Sequence, residues 1–459
     1  MAATRAVFTL ERLERHPGPT FAAIGLVFAA AYLLALTLFP HGRIVDGDTV
    51  QYYAYLRSLA IDHDLDFDND YRLLYAPAPE GGAGTNIWLT SSTPIGRRPN
   101  LMSIGPALLW SPFFFATYAA LAVLRVFGLA VPLDGIAAPF PLSAGVAGVA
   151  YAAAGAYLCY RACRLIAPGA AAFWAALAAW LATPAVYYSL VSPSYSHAPS
   201  MFASALFCWA WLRSRDDERV GRFAVLGLLA GLAALVRWQD VVIAALPAIE
   251  LLRAVVRRRT TWLAAAGRAA VMAAAIALML VPQMLAWHAI YGQFVLVPQG
   301  GAFMRWGSPA VLPVLGSLKH GLFTWTPAVL VAAAGLVLLA RREPFPGGSL
   351  LAVLLVAIYV NASVSDWWAG EAFGARRFVS DTVLFAIGFA ALFDAAPWRD
   401  RPWLVRWTAV ALSAYNLLFV LQYELFMRGF RSLAPYPATW REVLVDRLLL
   451  PWHLLARWL

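Results

Sequence analysis

Lysine is all but missing from this chain: Lys319 is the one lysine in 459 residues, and the other basic residues are arginine. Charge of either sign is scarce, at 13% of residues against 61% hydrophobic, and the mean hydropathy is +0.66. A soluble domain of this length needs far more surface charge, so the chain reads as an all-α polytopic membrane protein. Cysteine is scarce too. Cys159, Cys163 and Cys208 fall in or beside apolar runs near expected cytoplasmic ends, which argues against a disulfide framework. Walker A, GxGxxG, HExxH and GxSxG patterns are absent, which argues against the nucleotide, metalloprotease and serine-hydrolase chemistry they carry. No internal repeat, low-complexity tract or flexible linker interrupts the sequence. A single integral domain over 1–459 is expected.

What charge there is has a pattern. The formal balance is +10, yet most arginines sit in short loops between apolar runs: the N-terminus, Arg161/Arg164, Arg213–Arg222, Arg253–Arg268, Arg341/Arg342 and Arg399–Arg406. That is the positive-inside pattern of a membrane protein and not the footprint of a nucleic-acid binder. The runs between these loops predict about eleven crossings. They are Phe21–Phe39 (a retained anchor, with no small-residue cleavage site after it), Phe140–Tyr160, Ala170–Val191, Tyr195–Leu212, Phe223–Val236, Val241–Val256, Ala269–Ile290, Trp325–Ala340, Leu350–Val364, Phe378–Leu392 and Leu404–Tyr423. The N-terminus is then inside and the C-terminus outside. Leu101–Ala130 is also apolar, but a crossing there would put every later arginine loop on the wrong side. With Pro106, Pro112 and Arg125 it suits a helix lying in the outer interface. The first outer loop therefore covers 40–139, another covers 291–324, and 425–459 forms an interfacial C-terminal segment.

The first loop opens with Arg43–Tyr71, which holds seven aspartates and no glutamate. Asp48–Ile61 places Tyr52, Tyr55, Leu56 and Leu59 at helical spacing, which predicts an amphipathic surface helix. Asp48 starts that helix, where the macrodipole favours the anionic form a general base needs. Asp46 stands two residues earlier. Asp62, Asp64, Asp66, Asp68 and Asp70 alternate, so an extended segment would line them along one face. The glycine and distal glutamate of an EF-hand loop are missing, and a solvated acidic turn is expected ahead of a divalent cation.

Other outer segments concentrate polar chemistry. One contains Arg305, Lys319 and His320; a compact ammonium suits a phosphate as a point-charge partner. Another, Asp366–Arg377, packs Trp367, Trp368, Glu371, Arg376, Arg377 and two glycines into twelve residues. Paired arginines hold phosphate bidentately, aromatics stack on sugars and acids accept hydroxyl protons. The alternative is an interfacial aromatic belt with headgroup-binding arginines. His197 in SPSYSHAPS is either a ligand contact or a capping histidine. The turn Arg237–Asp240 joins two runs too short for a full crossing, so it sits below the outer surface.

With an N-terminal crossing, an aspartate on a juxtamembrane helix (Asp48-Thr-Val-Gln-Tyr52, with Arg57 beyond) and a second interfacial helix in PNLMSIGPALLWSPFFF, the chain resembles the GT-C superfamily of integral membrane glycosyltransferases. The bacterial aminoarabinose transferases of lipid A and the protein O-mannosyltransferases are the nearest in pattern. The resemblance implies a multi-pass protein of the bacterial inner membrane with a periplasmic active site. It implies a polyprenyl-phosphate-linked sugar donor, a lipid, glycan or protein acceptor, and no cofactor or catalytic metal. Asp48 would be the catalytic base; because Gly47 separates it from Asp46, the two assignments are interchangeable. Arg305, Lys319, Arg376 and Arg377 would hold the donor phosphate, with Arg97 and Arg98 as candidates for the place where relatives carry a basic residue before the second interfacial helix, Arg98 being assigned to the phosphate. Trp367, Trp368, Glu371, Tyr52, His197 and His320 would contact sugar or acceptor. A stable phosphate leaving group needs cations, and a positioned aspartate takes the acceptor proton. The rival from another class is a polytopic lipid or sugar transporter or flippase, which normally carries inverted repeats and ionisable residues at mid-membrane. An oligosaccharyltransferase-like enzyme is a nearer rival, but usually carries a soluble C-terminal domain.

Overall fold

The computed structural model describes residues 10–38, 44–75, 87–215, 217–370, 372–427 and 439–458. Those residues are helical apart from their connections; Met304 and Val364 form an isolated extended bridge. In chain order the principal helices are α1 (Pro17–Leu38), α2 (Asp48–Arg57), α3 (Asp68–Leu74), α4 (Gly105–Val126), α5 (Pro139–Cys163), α6 (Gly169–Leu181), α7 (His197–Ser214), α8 (Val220–Val236), α9 (Ala245–Val256), α10 (Trp262–Tyr291), α11 (Pro327–Arg342), α12 (Pro344–Ala362), α13 (Thr382–Phe393), α14 (Pro402–Gln422) and α15 (Asp446–Trp458).

Six described helices are long and apolar enough to cross a membrane: Pro17–Leu36, Gly105–Val126, Pro139–Cys163, Trp262–Tyr291, Pro344–Ala362 and Pro402–Met427. A seventh is counted if Gly169–Leu181 and Pro184–Leu190, bent by 67° at their junction, act as one. The expected runs at Phe223–Val236 and Phe378–Leu392 are present as shorter apolar helices, α8 and α13. Val241–Val256 begins as a tight 3₁₀ turn, Trp238–Ala244, before α9. Leu101–Ala130, set aside on charge parity, contains the 22-residue α4, and Pro112 inside it does not end the helix.

Small residues bring these helices together. Gly148 of α5 lies so close to the Pro193 carbonyl that a side chain has no room, and the backbones of Gly335 (α11) and Gly388 (α13) meet in the same way. Close backbone approach through small residues is how helices associate where water supplies no driving force. The main core is built on α5, α6, α7, α11 and α13, with Trp174, Trp180, Trp211 and Trp325 buried in it.

A second core lies at one end. Tyr53, Tyr55, Phe67, Tyr71, Trp110, Phe114, Phe140 and Ile290 pack the first loop against α4, α5 and the end of α10. Hence α2 is not the amphipathic surface helix its spacing predicts: every residue from Thr49 to Arg57 is buried. Loop segments cover the face that the periodicity leaves to solvent. Asn100 Nδ2 donates to the Gln51 carbonyl, the Leu101 amide donates to Gln51 Oε1, and Tyr291 Oη donates to the Asn100 carbonyl.

Nor are the five alternating aspartates an extended row. They form a turn leading into α3. Arg57 binds both Asp62 and Asp70, Ser58 donates to Asp64, Arg97 pairs with Asp66, and Arg72 and Arg98 pair with Asp68. Asp70 is fully buried, so the turn is not uniformly solvated. Among the described residues no group of three or more His, Cys, Asp or Glu is arranged to hold a metal ion.

The helices do not all end at one level. Gly148 stands nine residues into α5 and packs on Pro193 at the approach to α7, so α7 begins roughly 14 Å below the start of α5 at ~1.5 Å per residue. Arg237, just past the end of α8, reaches Ser196 at the same level. At that level the start of α7 and the end of α8 meet the first loop, where Ser196 Oγ donates to Tyr52 Oη.

Candidate functional site

Gly47 sets the geometry where the first loop meets the approach to α7. Its φ of +50° is a conformation that side chains disfavour, and a Cβ there would stand 3.0 Å from the Tyr195 hydroxyl. The two flanking aspartates consequently face different partners. Asp46 Oδ1 accepts from Tyr195 Oη at 3.4 Å, whereas Asp48 Oδ2 meets Arg376 Nη1 at 2.9 Å. Asp48 is 35% exposed and Arg376 14%, so the pair lies at the boundary between the interior and the open side.

Arg376 arrives on the loop after α12. That loop turns sharply at Ala369, Gly370 and Gly374, all with positive φ, and Gly374 fits against the Pro184 ring. Arg376 also lies over the Tyr195 ring, 5.9 Å from its centroid. Burial is the strongest single influence and works against its charge, but Asp48 together with Tyr188, Tyr195 and Tyr52 outweighs it and holds the guanidinium above its ordinary value. Arg377 differs. Burial pulls it below its ordinary value, Asp366 supports it, and the charges of Arg376 and Arg237 press it further down. It donates to the Asp366 carbonyl and to Asp366 Oδ1, each at 2.7 Å. Three guanidinium groups thus crowd one region, an arrangement that an anion would relieve.

Beyond Asp366 the loop carries the two tryptophans, with ring centroids 5.7 Å apart. Lys319 Nζ sits 4.4 Å over the Trp368 ring. His320 holds the Trp368 carbonyl through Nδ1 at 2.8 Å. The Arg305 amide donates to the Ser363 carbonyl, which docks its loop on the start of the Asp366 segment, with the Arg305 side chain exposed.

The sequence-derived residues therefore sort into groups. Asp48, Asp46, Arg376, Arg377, Lys319, Trp367 and Trp368 fall on loops joined by direct contacts, with Arg305 at the rim. Tyr52 and His197 lie beneath: Ser196 Oγ donates to Tyr52 Oη at 3.0 Å, and the His197 ring packs against Tyr188 and Tyr195 at 4.3 and 6.1 Å. His197 and His320 are 1% and 3% exposed, so both serve as packing and positioning groups in this state and not as open contact residues. Arg98 is tied to Asp68 and to the Ser91 carbonyl in the acidic turn, apart from the Arg376 group. Glu371 lies outside the described residues.

Several contributors escaped the sequence reading. Tyr195 and Ser196 flank the chosen histidine in SPSYSHAPS, whose density of hydroxyls was the available signal. Asp240 and Asp381 are both buried around a small void lined by Ser204, Gln239, Asn361, Arg377 and Ser380. Ser200 Oγ donates to Asp240 Oδ2 there. No family model matches the chain, and no characterised protein gives a significant sequence match.

Proposed function

We propose that this chain is an inverting glycosyltransferase that takes a sugar from a polyprenyl-phosphate donor and passes it to an acceptor hydroxyl. The observation that carries the reading is the Asp48–Arg376 pair, with Arg377 and Arg237 crowded beside Arg376. In the free protein the carboxylate and the guanidinium neutralise each other. A donor phosphate competes for Arg376, with Arg377 next in the chain and Lys319 over Trp368 of the same loop, and so releases Asp48. Asp48 then accepts the acceptor hydroxyl proton as that oxygen attacks the sugar's anomeric carbon. The bond from that carbon to the phosphate oxygen breaks, and polyprenyl phosphate leaves with its negative charge held by the cations. One displacement inverts the anomeric centre. Trp367 and Trp368 supply stacking surface for the sugar.

The topology belongs to the same proposal: about eleven crossings in a bacterial inner membrane, with Asp48 on the periplasmic face. Charge parity keeps α4 out of the count. α4 is nonetheless among the six helices long and apolar enough to cross, and it runs alongside α5 with Phe113 on Tyr151 and with Phe114 and Tyr118 on Phe140, so its exclusion from the count rests on charge parity alone. The test is reconstitution: purified protein, a polyprenyl-phosphate sugar and a crude envelope acceptor fraction should yield free polyprenyl phosphate and a product of inverted configuration. Release of neither refutes the reading.

A transporter is the second reading, favoured by the buried acids Asp240 and Asp381 beside Ser200 and Ser204. Proteoliposomes decide between them. Translocation without release of lipid phosphate selects transport.

A further inference from the structure

At the end of the bundle opposite Asp48, the connections α7–α8, α9–α10 and α11–α12 border a cleft of about 480 Å³. Five arginines line it: Arg215, Arg253, Arg257, Arg259 and Arg268. The three glutamates there are already engaged. Glu250 takes two bonds from Arg222 and one from Trp211, Glu218 pairs with Arg268 at 3.3 Å, and Glu343 stands 3.9 Å from Arg215. That leaves Arg253, Arg257 and Arg259 with no carboxylate partner among the described residues. Arg253 is braced by Phe345, its guanidinium 4.1 Å from the ring centroid.

The cleft continues into an apolar groove. Arg253, Arg257, Pro344 and Phe345 line both, and from them the groove follows Ile249 of α9 and Gly348, Ser349 and Ala352 of α12 along the bundle. Phe345, Gly348, Ser349 and Ala352 repeat at helical spacing and give a face roughly 10 Å long. Gly348 has nothing within 4 Å of where a Cβ would stand, so the groove is open at that point.

We propose that this cleft and groove bind an anionic phospholipid of the leaflet opposite Asp48, its phosphate on Arg253, Arg257 and Arg259 and one acyl chain along α9 and α12. The argument is charge complementarity joined to continuity. A free phosphate needs the cations alone, whereas here the cations adjoin an open, largely apolar groove. Basic pockets between helices on the arginine-rich side suit lipid headgroups on general grounds. The inference rests on membrane insertion and not on the sugar-transfer reading.

The test uses the full chain in mild detergent, read by native mass spectrometry and by thermal stability. Added phosphatidylglycerol should bind in a saturable 1:1 complex and raise Tm, while phosphatidylcholine and inorganic phosphate should do neither. Arg253→Gln with Arg257→Gln should weaken phosphatidylglycerol binding roughly thirtyfold, at about a factor of five per arginine. Should that variant not fold, Gly348→Trp fills the groove and leaves all five arginines in place; it should lose phosphatidylglycerol retention as well. Equal binding of phosphatidylcholine, unchanged binding by the variants, or a full response to inorganic phosphate alone would overturn the proposal, the last by reducing the cleft to a free-anion site.

Discussion

The carboxylate of Asp48 and the guanidinium of Arg376 meet at 2.9 Å although they come from opposite ends of the chain, one after α1 and the other before α13. On the proposed function, the contact means that the base and a phosphate-holding cation occupy each other until substrate arrives.

Arg376 is the first test. Arg376→Gln removes a cation from the departing phosphate and should lower kcat/KM for transfer about 10²- to 10³-fold, the usual loss for one preorganised charge-stabilising donor. Arg376→Lys keeps the charge without the planar fork and should recover part of it. Steady-state kinetics with a fixed donor read both.

Gly47 should tolerate nothing larger. Gly47→Ala places a side chain in a left-handed conformation and against the Tyr195 hydroxyl, so a loss of about 1–2 kcal/mol of stability is expected from the backbone alone. Tyr195→Phe removes only the hydroxyl that Asp46 accepts from and should affect transfer far less than Gly47→Ala. Thermal unfolding and transfer rate measured together distinguish strain from chemistry.

The buried end of the acidic turn carries a pH dependence. Burial pushes Asp70 up to about 6 in spite of Arg57, while at Arg57 burial is outweighed by Asp70 and Asp62, which hold it above its ordinary value. A carboxyl raised on folding favours its protonated form in the native state. Its contribution is therefore complete below about pH 4, the unfolded value, and is lost as pH rises through about 6. The wild-type protein should lose stability between pH 4 and pH 7 by up to about 3 kcal/mol on this account. Asp70→Asn should flatten that slope, as Tm measured across the pH series would show.

Helix packing gives a contrast between glycines. Gly335→Ala drives a methyl group into the Gly388 backbone and should destabilise by several degrees, whereas Gly348→Ala meets open space and should be neutral or stabilising. Differential scanning fluorimetry in detergent checks the pair.

Membrane class, the helix opening at Asp48 and the loop rich in arginine and tryptophan were legible because composition and local periodicity carry them. Burial of α2 was not, since Asn100–Leu101, which covers it, lies dozens of residues away. His197 and His320 read as ligands because a histidine in a polar outer loop looks available. Only tertiary packing places one among tyrosine rings and the other under a tryptophan carbonyl. Charge parity addresses orientation and says nothing of length, which is why it set aside a stretch that nevertheless forms the 22-residue α4. Asp240 was legible only as a member of the turn Arg237–Asp240; Asp381 stands in no pattern of its own, and only tertiary packing brings the two together.

The most direct measurement is sugar transfer by Asp48→Asn, with Asp46→Asn beside it and donor binding followed in both. The account predicts that Asp48→Asn binds donor yet transfers about 10²- to 10⁴-fold more slowly, the range lost with a general base, while Asp46→Asn stays close to wild type. Transfer at the wild-type rate by Asp48→Asn would contradict it.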